Sequence, residues 1–210
     1  MYVPKHFEET RVDVLHAHIR AHPLGAIVVT TPDGLDANHI PLEVDPDPAP
    51  FGTLRGHVAR ANPVWREAAG AQALVIFQGP STYISPAWYP TKQETAKVVP
   101  TWNYAVVHAH GTLRFIDDRT WLRAFVERLT DRHESGRPDP WKVTDASADY
   151  VENMVGAIIG LELPIARLAG KWKVSQNRPA QDREGAIDGL LREEGEAGAA
   201  MADLIRRFSV

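Results

Sequence analysis

Two short stretches concentrate groups able to hold an anion. Arg55, His57, Arg60 and Asn62 fall within eight positions, where a strand-like run gives way to the Asn62-Pro63 step. Asn at an N-cap followed by Pro at the first helical position marks a helix start. A helix start offers unpaired N–H groups and a partial positive charge, and a nearby guanidinium adds a fixed one. That combination suits a phosphate; equally, arginines at a strand end are common on any solvated surface. The second stretch is Lys171–Arg178, KWKVSQNR. Lys171, Lys173 and Arg178 bring charge, while Ser175, Gln176 and Asn177 bring donors and acceptors. If extended, the segment puts Lys173 and Ser175 on one side. The set suits a phosphate or the edge of a heterocycle with alternating N–H and C=O groups; the plain alternative is a solvated linker.

Nine histidines are many for 210 residues. His108 and His110, two apart on a strand, share a side and could begin a metal site. A third ligand would have to come from His39, His57 or an acid, and as edge histidines the pair needs none. His16 and His18, two apart on a helix, do not face each other. Other chemistries are excluded. There is no cysteine, so no disulfide, catalytic thiolate or zinc–sulfur site. Ser81 and Ser85 stand in no Gly-x-Ser-x-Gly elbow. Neither a Walker A loop nor a Gly-x-Gly-x-x-Gly fingerprint is present. No two helical stretches are joined by the short turn of a helix-turn-helix. A net charge of −4 gives no bulk attraction to nucleic acid. No apolar run reaches about 18 residues, and MYVPKHFEET has no signal-peptide core. No membrane partner and a cytoplasmic location are therefore expected.

A third stretch could present a flat surface. Between Gly79 and Gly111 stand Pro80, Pro86, Pro90 and Pro100, with two tryptophans and three tyrosines. Prolines at that density argue for irregular backbone between two strands. Aromatics held there could meet a planar ligand or a second subunit, or could simply cover a sheet edge.

These groups need a frame. Val12, Leu15 and Ile19 predict a helix over Val12–Ala21, capped by Thr10 and stopped at His22-Pro23. Strands are predicted over Gly25–Thr31, Ala37–Val44, Thr53–Val58, Ala71–Gln78, Tyr104–Ile116 and Ile158–Leu168. Pro41 and Pro164 mark two of them as edges or bulged strands. On the third, Leu54 and Val58 face one way and Arg55 and His57 the other. Helices are predicted over Pro63–Ala69, from Asp117 or Asp118 to about His133, over Ser147–Val155, and from Ala180 onward. Links between strands are short, so pairing is mostly antiparallel. Six short strands with several bulge signals fit a small closed or split barrel, mainly β with helices at its periphery.

Five separated motifs resemble one family: MYVPKHFEE at the N-terminus, GHVARANPVW, GPSTYISPAWY, VPTWNY followed by VHAHG, and KWKVSQNR. In this order they are similar to the PaiB family, described as FMN-binding negative transcriptional regulators. That family belongs to the FMN-binding split barrels, the superfamily of pyridoxamine phosphate oxidase. The resemblance implies a six-stranded antiparallel split β-barrel over residues 1–178. A C-terminal helical tail, residues 179–210, would pack on the same domain. It implies a homodimer with FMN at the subunit interface. By analogy, Asn38, His39 and the segment carrying His57, Arg60 and Asn62 would line the phosphate and ribityl chain. Gln176 with its neighbours Lys171 and Arg178, or the Trp102-Asn103 step, would approach the ring from the other subunit. Where the superfamily has Ser and Lys, this chain has Ala59 and Arg60. A flavin-binding transcriptional regulator is the implied function, with DNA a partner by family description only. The alternative is a flavin-dependent oxidoreductase acting on a small molecule, with His39, His57 and Tyr83 as candidate proton donors. A haem-handling split barrel, with His108 or His110 as axial ligand, is a third reading.

Overall fold

A computed structural model describes residues 1–208. In chain order the elements are β1 (Glu8–Glu9), α1 (Val12–Ala21), β2 (Leu24–Thr31), β3 (Gly34–Pro41), β4 (Glu43–Asp45), β5 (Thr53–Ala59), α2 (Val64–Glu67) and β6 (Gln72–Ile84). There follow α3 (Thr91–Thr95), β7 (Thr101–Thr112), β8 (Arg114–Ile116), α4 (Arg119–Glu134), α5 (Ala148–Gly156), β9 (Ile158–Lys173), α6 (Ala180–Glu193) and α7 (Gly195–Phe208). The hydrogen-bonded order is β3-β2-β6-β7-β9-β5-β4, with β1 and β8 also pairing to β9.

The sheet has nine strands rather than the six expected, and the extra breaks have visible causes. Leu42 leaves the strand ladder to donate its N–H to Pro23 O at 2.9 Å, which separates β3 from β4. Leu113 turns its N–H to Ala71 O at 3.0 Å and accepts from Gly70 N at 3.0 Å, which separates β7 from β8. The two residues of β1 pair with Gly170 and Lys171. The aromatic stretch is also more regular than its prolines imply. β6 continues through Pro80 to Ile84, a 3-10 turn follows at Pro86–Trp88, and α3 follows that. Likewise Lys171–Lys173 is strand, the end of β9, rather than irregular. Pro164 stands at the last described pair of the β5–β9 ladder, opposite Thr53. There its missing N–H interrupts little.

The chain divides into two compact units. One comprises Ile19–Ile76 and Ala109–Leu168. In it β2 and β3 form a hairpin registered from Leu24↔Pro41 to Thr31↔Gly34. β5 pairs with β9 along its whole length. The alternation read from sequence holds on β5: Leu54 and Val58 are buried, Arg55 and His57 half-buried. Asp118 caps α4, accepting from Trp121 N at 2.8 Å. α4 lies close because Gly160 has no side chain: a Cβ there would come within 2.4 Å of the Trp121 ring. Trp121 stacks on Phe125 with ring centres 5.3 Å apart. Leu122 joins Val143, Val151 and Val155 in a separate apolar cluster.

The other unit comprises Met1–His18, Phe77–His108 and the chain from Ala169 onward. Here α6 and α7 bury Leu190, Met201 and Ile205 against each other and their surroundings. Full burial of each such side chain contributes about 1.5–3 kcal/mol. Trp88 lies on α6 where Gly189 leaves room, since a Cβ there would sit 2.3 Å from the indole. Its Nε1 donates to Glu193 at 3.1 Å. Asp182, 1% exposed, accepts from Thr91 N at 3.2 Å and Thr91 Oγ1 at 2.8 Å. These contacts hold α6 against the segment that carries Trp88 and Thr91.

Candidate anion site

β9 ends at Lys173, and the chain then turns sharply. Ser175 adopts φ 66°, a left-handed conformation costly for a residue with a Cβ. Gln176 closes the turn: its Oε1 accepts from Val174 N at 2.9 Å and its Nε2 donates to Trp172 O at 2.6 Å. Both ends of that amide are thus spent on backbone. The turn shapes a cavity of about 100 Å³ lined by Phe7, Thr101, Asn103, Lys173, Ser175, Asn177 and Arg178.

No carboxylate lines this cavity. The Lys173 ammonium donates to Trp102 O at 2.5 Å and to Thr101 Oγ1, both neutral acceptors. Burial, and then the like charges of Lys171 and Arg178, hold Lys173 below the ordinary lysine range. Lys171 is itself buried; it donates to Tyr2 O at 3.1 Å and lies 5.2 Å from the Tyr104 ring centre. Arg178 lies over the Tyr89 ring at 5.0 Å. Cations held together without a counter-charge are costly until an anion arrives. Asn103 adds a second vacancy. Its Nδ2 donates to Ser175 Oγ at 2.9 Å, whereas its buried Oδ1 has no partner among the described residues. In the same unit Trp102 is 52% and Tyr83 43% exposed. Their ring centres stand 6.3 Å apart, and Trp102 Nε1 is pinned to Ser81 Oγ at 2.7 Å.

The remaining expected site residues, Asn38, His39, His57, Arg60 and Asn62, all lie in the other unit. Arg60 forks onto Asp117 with bonds of 2.8 and 2.6 Å. It also donates to Gly156 O at 2.7 Å and to Ile158 O at 3.2 Å. Its charge and most of its donors are already satisfied. Asn62 accepts from Val64 N at 3.0 Å, the N-cap bond read from sequence. It donates to Asn38 at 2.6 Å, and Asn38 in turn donates to Asp36 at 2.7 Å. His39, next along the strand, is exposed and faces away from Asn38. α2 spans four residues, too short for an appreciable dipole. His57 packs edge-on to Phe125 with centres 5.9 Å apart, and burial lowers its pKa, so it is neutral near pH 7. Arg55 is claimed by Asp45 and by Glu162, the latter at 2.9 Å. His110 Nε2 meets Arg167 at 2.8 Å. Among the described residues no group of three His, Asp or Glu could hold a metal.

The sequence marks the charge of KWKVSQNR, and the family resemblance marks Asn103 with it, but neither marks Thr101 or Phe7 as lining the same pocket. Thr101 and Asn103 stand about 70 positions earlier on β7, and Phe7 near the N-terminus; nothing in spacing links them.

A mainly antiparallel sheet of this order, flanked by helices, is the split-barrel fold of flavin-binding proteins. Residues 1–167 match the family described as "Putative FMN-binding domain", and the chain belongs to it. A protein of Emericella nidulans is 35% identical over 242 residues, covering 98% of this chain and 96% of that one. "Protease synthase and sporulation protein PAI 2" of Bacillus subtilis is 30% identical over 206 residues, covering 98% and 96%. The resemblance to the PaiB family thus holds over the whole chain. Among solved structures, the FAD and haem binding protein of Mycobacterium smegmatis superposes with a TM-score of 0.59 at 20% identity, covering 79% of this chain and 73% of that one. At that identity the likeness is one of fold. The family match ends at residue 167, so Lys171, Lys173 and Arg178 lie beyond the matched span.

Proposed function

We propose that this protein binds FMN with its phosphate in the Lys173 pocket, and that flavin occupancy governs a regulatory output. The observation that carries the reading is the pocket itself. Lys173 and Arg178 line it, Lys171 adds its charge to theirs, and no carboxylate answers them. A volume of about 100 Å³ lies well below the roughly 300 Å³ of sites that engulf a whole small molecule. It suits one terminal group, and a phosphate is the anionic terminus of FMN. Exposed Trp102 and Tyr83 offer the aromatic surface a planar ring packs on. Bound FMN supplies electron-transfer chemistry; the chain's own residues supply charge, orientation and shelter.

The regulatory part of the proposal rests on PAI 2, matched nearly end to end, whose name ties it to protease synthesis and sporulation. No His, Asp or Glu lines the pocket to serve as a proton relay, which favours sensing over turnover. Two copies form the working unit in this reading, with the exposed aromatics at their contact.

The test is a titration of purified protein with FMN, followed by quenching of flavin fluorescence, for wild type and Lys173→Ala. Saturable binding by wild type and its loss in the variant is the expected result. Equal binding by both overturns the placement of the phosphate. Light scattering must give twice the chain mass, and a monomer refutes the dimer. Bleaching of bound flavin by NAD(P)H without added partner would favour the oxidoreductase instead.

A further inference from the structure

β3 ends the sheet. It pairs with β2 from Leu24↔Pro41 to Thr31↔Gly34 and with no other strand among the described residues. A strand so placed offers a row of backbone N–H and C=O groups to whatever lies beside it. At its Ile40–Pro41 end β5 already crowds in: a Cβ at Gly56 would come within 3.2 Å of Pro41 O and 3.4 Å of the Ile40 side chain. Toward Gly34 the strand is open. Gly34, Leu35, Asp36 and Ala37 are all exposed, so both faces of the strand are bare there, and Leu35 is 81% exposed. Between this stretch and the start of α2 runs a cleft of about 540 Å³. The Asn62–Asn38 bond of 2.6 Å ties its two walls together.

The cleft has one sign of charge. Asp33 and Asp36 line it from the β2–β3 hairpin and Glu67 from α2, with no Lys, Arg or His among the lining residues. Carboxylates on the strand alone would serve to keep edges apart; Glu67 stands on the facing wall, off the strand. We infer that the open edge of β3 receives an extended, lysine- or arginine-bearing segment of another protein. The segment adds as a strand beside β3 with its cations toward Asp33, Asp36 and Glu67. Backbone pairing supplies the register, and the charge selects the partner. A second copy of this chain is a poor occupant, because two such edges side by side would set carboxylate against carboxylate. From Gly34 to Asn38 the open edge runs about 17 Å at roughly 3.3 Å per residue, so the added segment is short and its affinity modest. All of these residues belong to the unit that does not hold Lys173, and the inference stands apart from the flavin reading.

The probe is an end-blocked, fluorescein-labelled Lys-Val-Lys-Val-Lys peptide, titrated into the full-length protein at low salt and followed by anisotropy. Two control peptides separate the components. Glu-Val-Glu-Val-Glu reverses the charge; Lys-Pro-Lys-Pro-Lys keeps the charge and removes N–H groups that a ladder needs. Wild type should bind the Lys-Val peptide about tenfold more tightly than either control. Asp36→Asn combined with Glu67→Gln, which keeps the side-chain shapes, should lose several-fold of that affinity, in line with two exposed charge pairs. Amide hydrogen exchange from Leu35 to Asn38 should slow in wild type when the Lys-Val peptide is bound. Equal binding of the Lys-Val and Lys-Pro peptides, with exchange unchanged, leaves only loose charge attraction and overturns the strand addition. No saturation by the Lys-Val peptide in the millimolar range overturns the site. Protection of the same amides that rises with protein concentration, with no peptide present, gives the edge to a second copy and overturns the inference.

Discussion

Lys173 and Arg60 stand at comparable places in the chain, each near a strand end where a polar turn leads to a helix, and they differ in the partners they meet. Arg60 meets Asp117 in a two-bond fork and closes two backbone carbonyls, Gly156 O and Ile158 O. Lys173 meets only neutral oxygens and is crowded by Lys171 and Arg178. A cation that has found its carboxylate is part of the fold. One packed against like charges is the group our proposal assigns to the ligand. Local sequence gives both segments the same basic, polar appearance; the presence or absence of a carboxylate from elsewhere in the chain separates them.

The sharpest way to break this contrast is to remove each cation in turn. Lys173→Ala should weaken FMN binding on the order of tenfold to a hundredfold, the range for losing a charge-assisted hydrogen bond, with little change in thermal midpoint. Arg60→Ala should do the reverse, lowering the midpoint by on the order of a few degrees with FMN affinity unchanged. Fluorescence titration and thermal denaturation on the same two variants decide it. An Arg60→Ala protein that folds normally and loses FMN would exchange the two roles.

A second effect, of about tenfold, follows from protonation. In the proposed site the FMN phosphate would meet the ammonium form of Lys173, and burial with the neighbouring charges places that group's pKa below the ordinary lysine value of about 10.5. Affinity should therefore be full at neutral pH and fall as pH rises through the lowered folded value, before free lysines titrate. The apo protein should show the opposite slope. Its crowded ammonium costs stability at low pH, and that cost is relieved as the proton leaves. Lys173→Arg, charged throughout this range, should abolish the alkaline loss of affinity. A loss of the same size in that variant would assign the titration to another group.

How much of this was legible in the chain depends on distance along it. The strands of the first half, the N-cap at Asn62, the capping Asp118 and the burial alternation of β5 follow from neighbours within a few residues. So does the basic character of Lys171–Arg178. What escaped was set by partners far away. Asp117 reaches Arg60 across 57 positions, and Thr101 reaches Lys173 across 72. The breaks at Leu42 and Leu113 arise because their amides bond Pro23 and Ala71, which no local pattern announces. Pro80 misled for the converse reason. Its fixed φ suits extended backbone, so the strand ran through it.

Exposed aromatic surface gives a smaller effect. Trp102→Ala should weaken FMN binding several-fold, in line with about 0.5–1.5 kcal/mol for an aromatic pair, and should remove most of the tryptophan quenching on binding. Riboflavin, which lacks the phosphate, should be affected by Trp102→Ala about as much as FMN and hardly at all by Lys173→Ala. The same dependence on Lys173 for both ligands would place the ring, not the phosphate, at the pocket.

The two asparagines carry the comparison to its finest grain. Asn62 uses both ends of its amide, accepting from Val64 N and donating to Asn38; Asn103 uses one. Asn62→Ala removes an N-cap and should cost about 1 kcal/mol of stability, measured by urea denaturation, with FMN affinity unchanged. An amide already bonded at both ends inside the protein is held in place by the fold, so its loss should be felt chiefly in folding. Should Asn62→Ala weaken FMN binding instead, the Asp36–Asn38–Asn62 chain must bear on the ligand, and the division between a structural set and a binding set drawn from charge alone would fail.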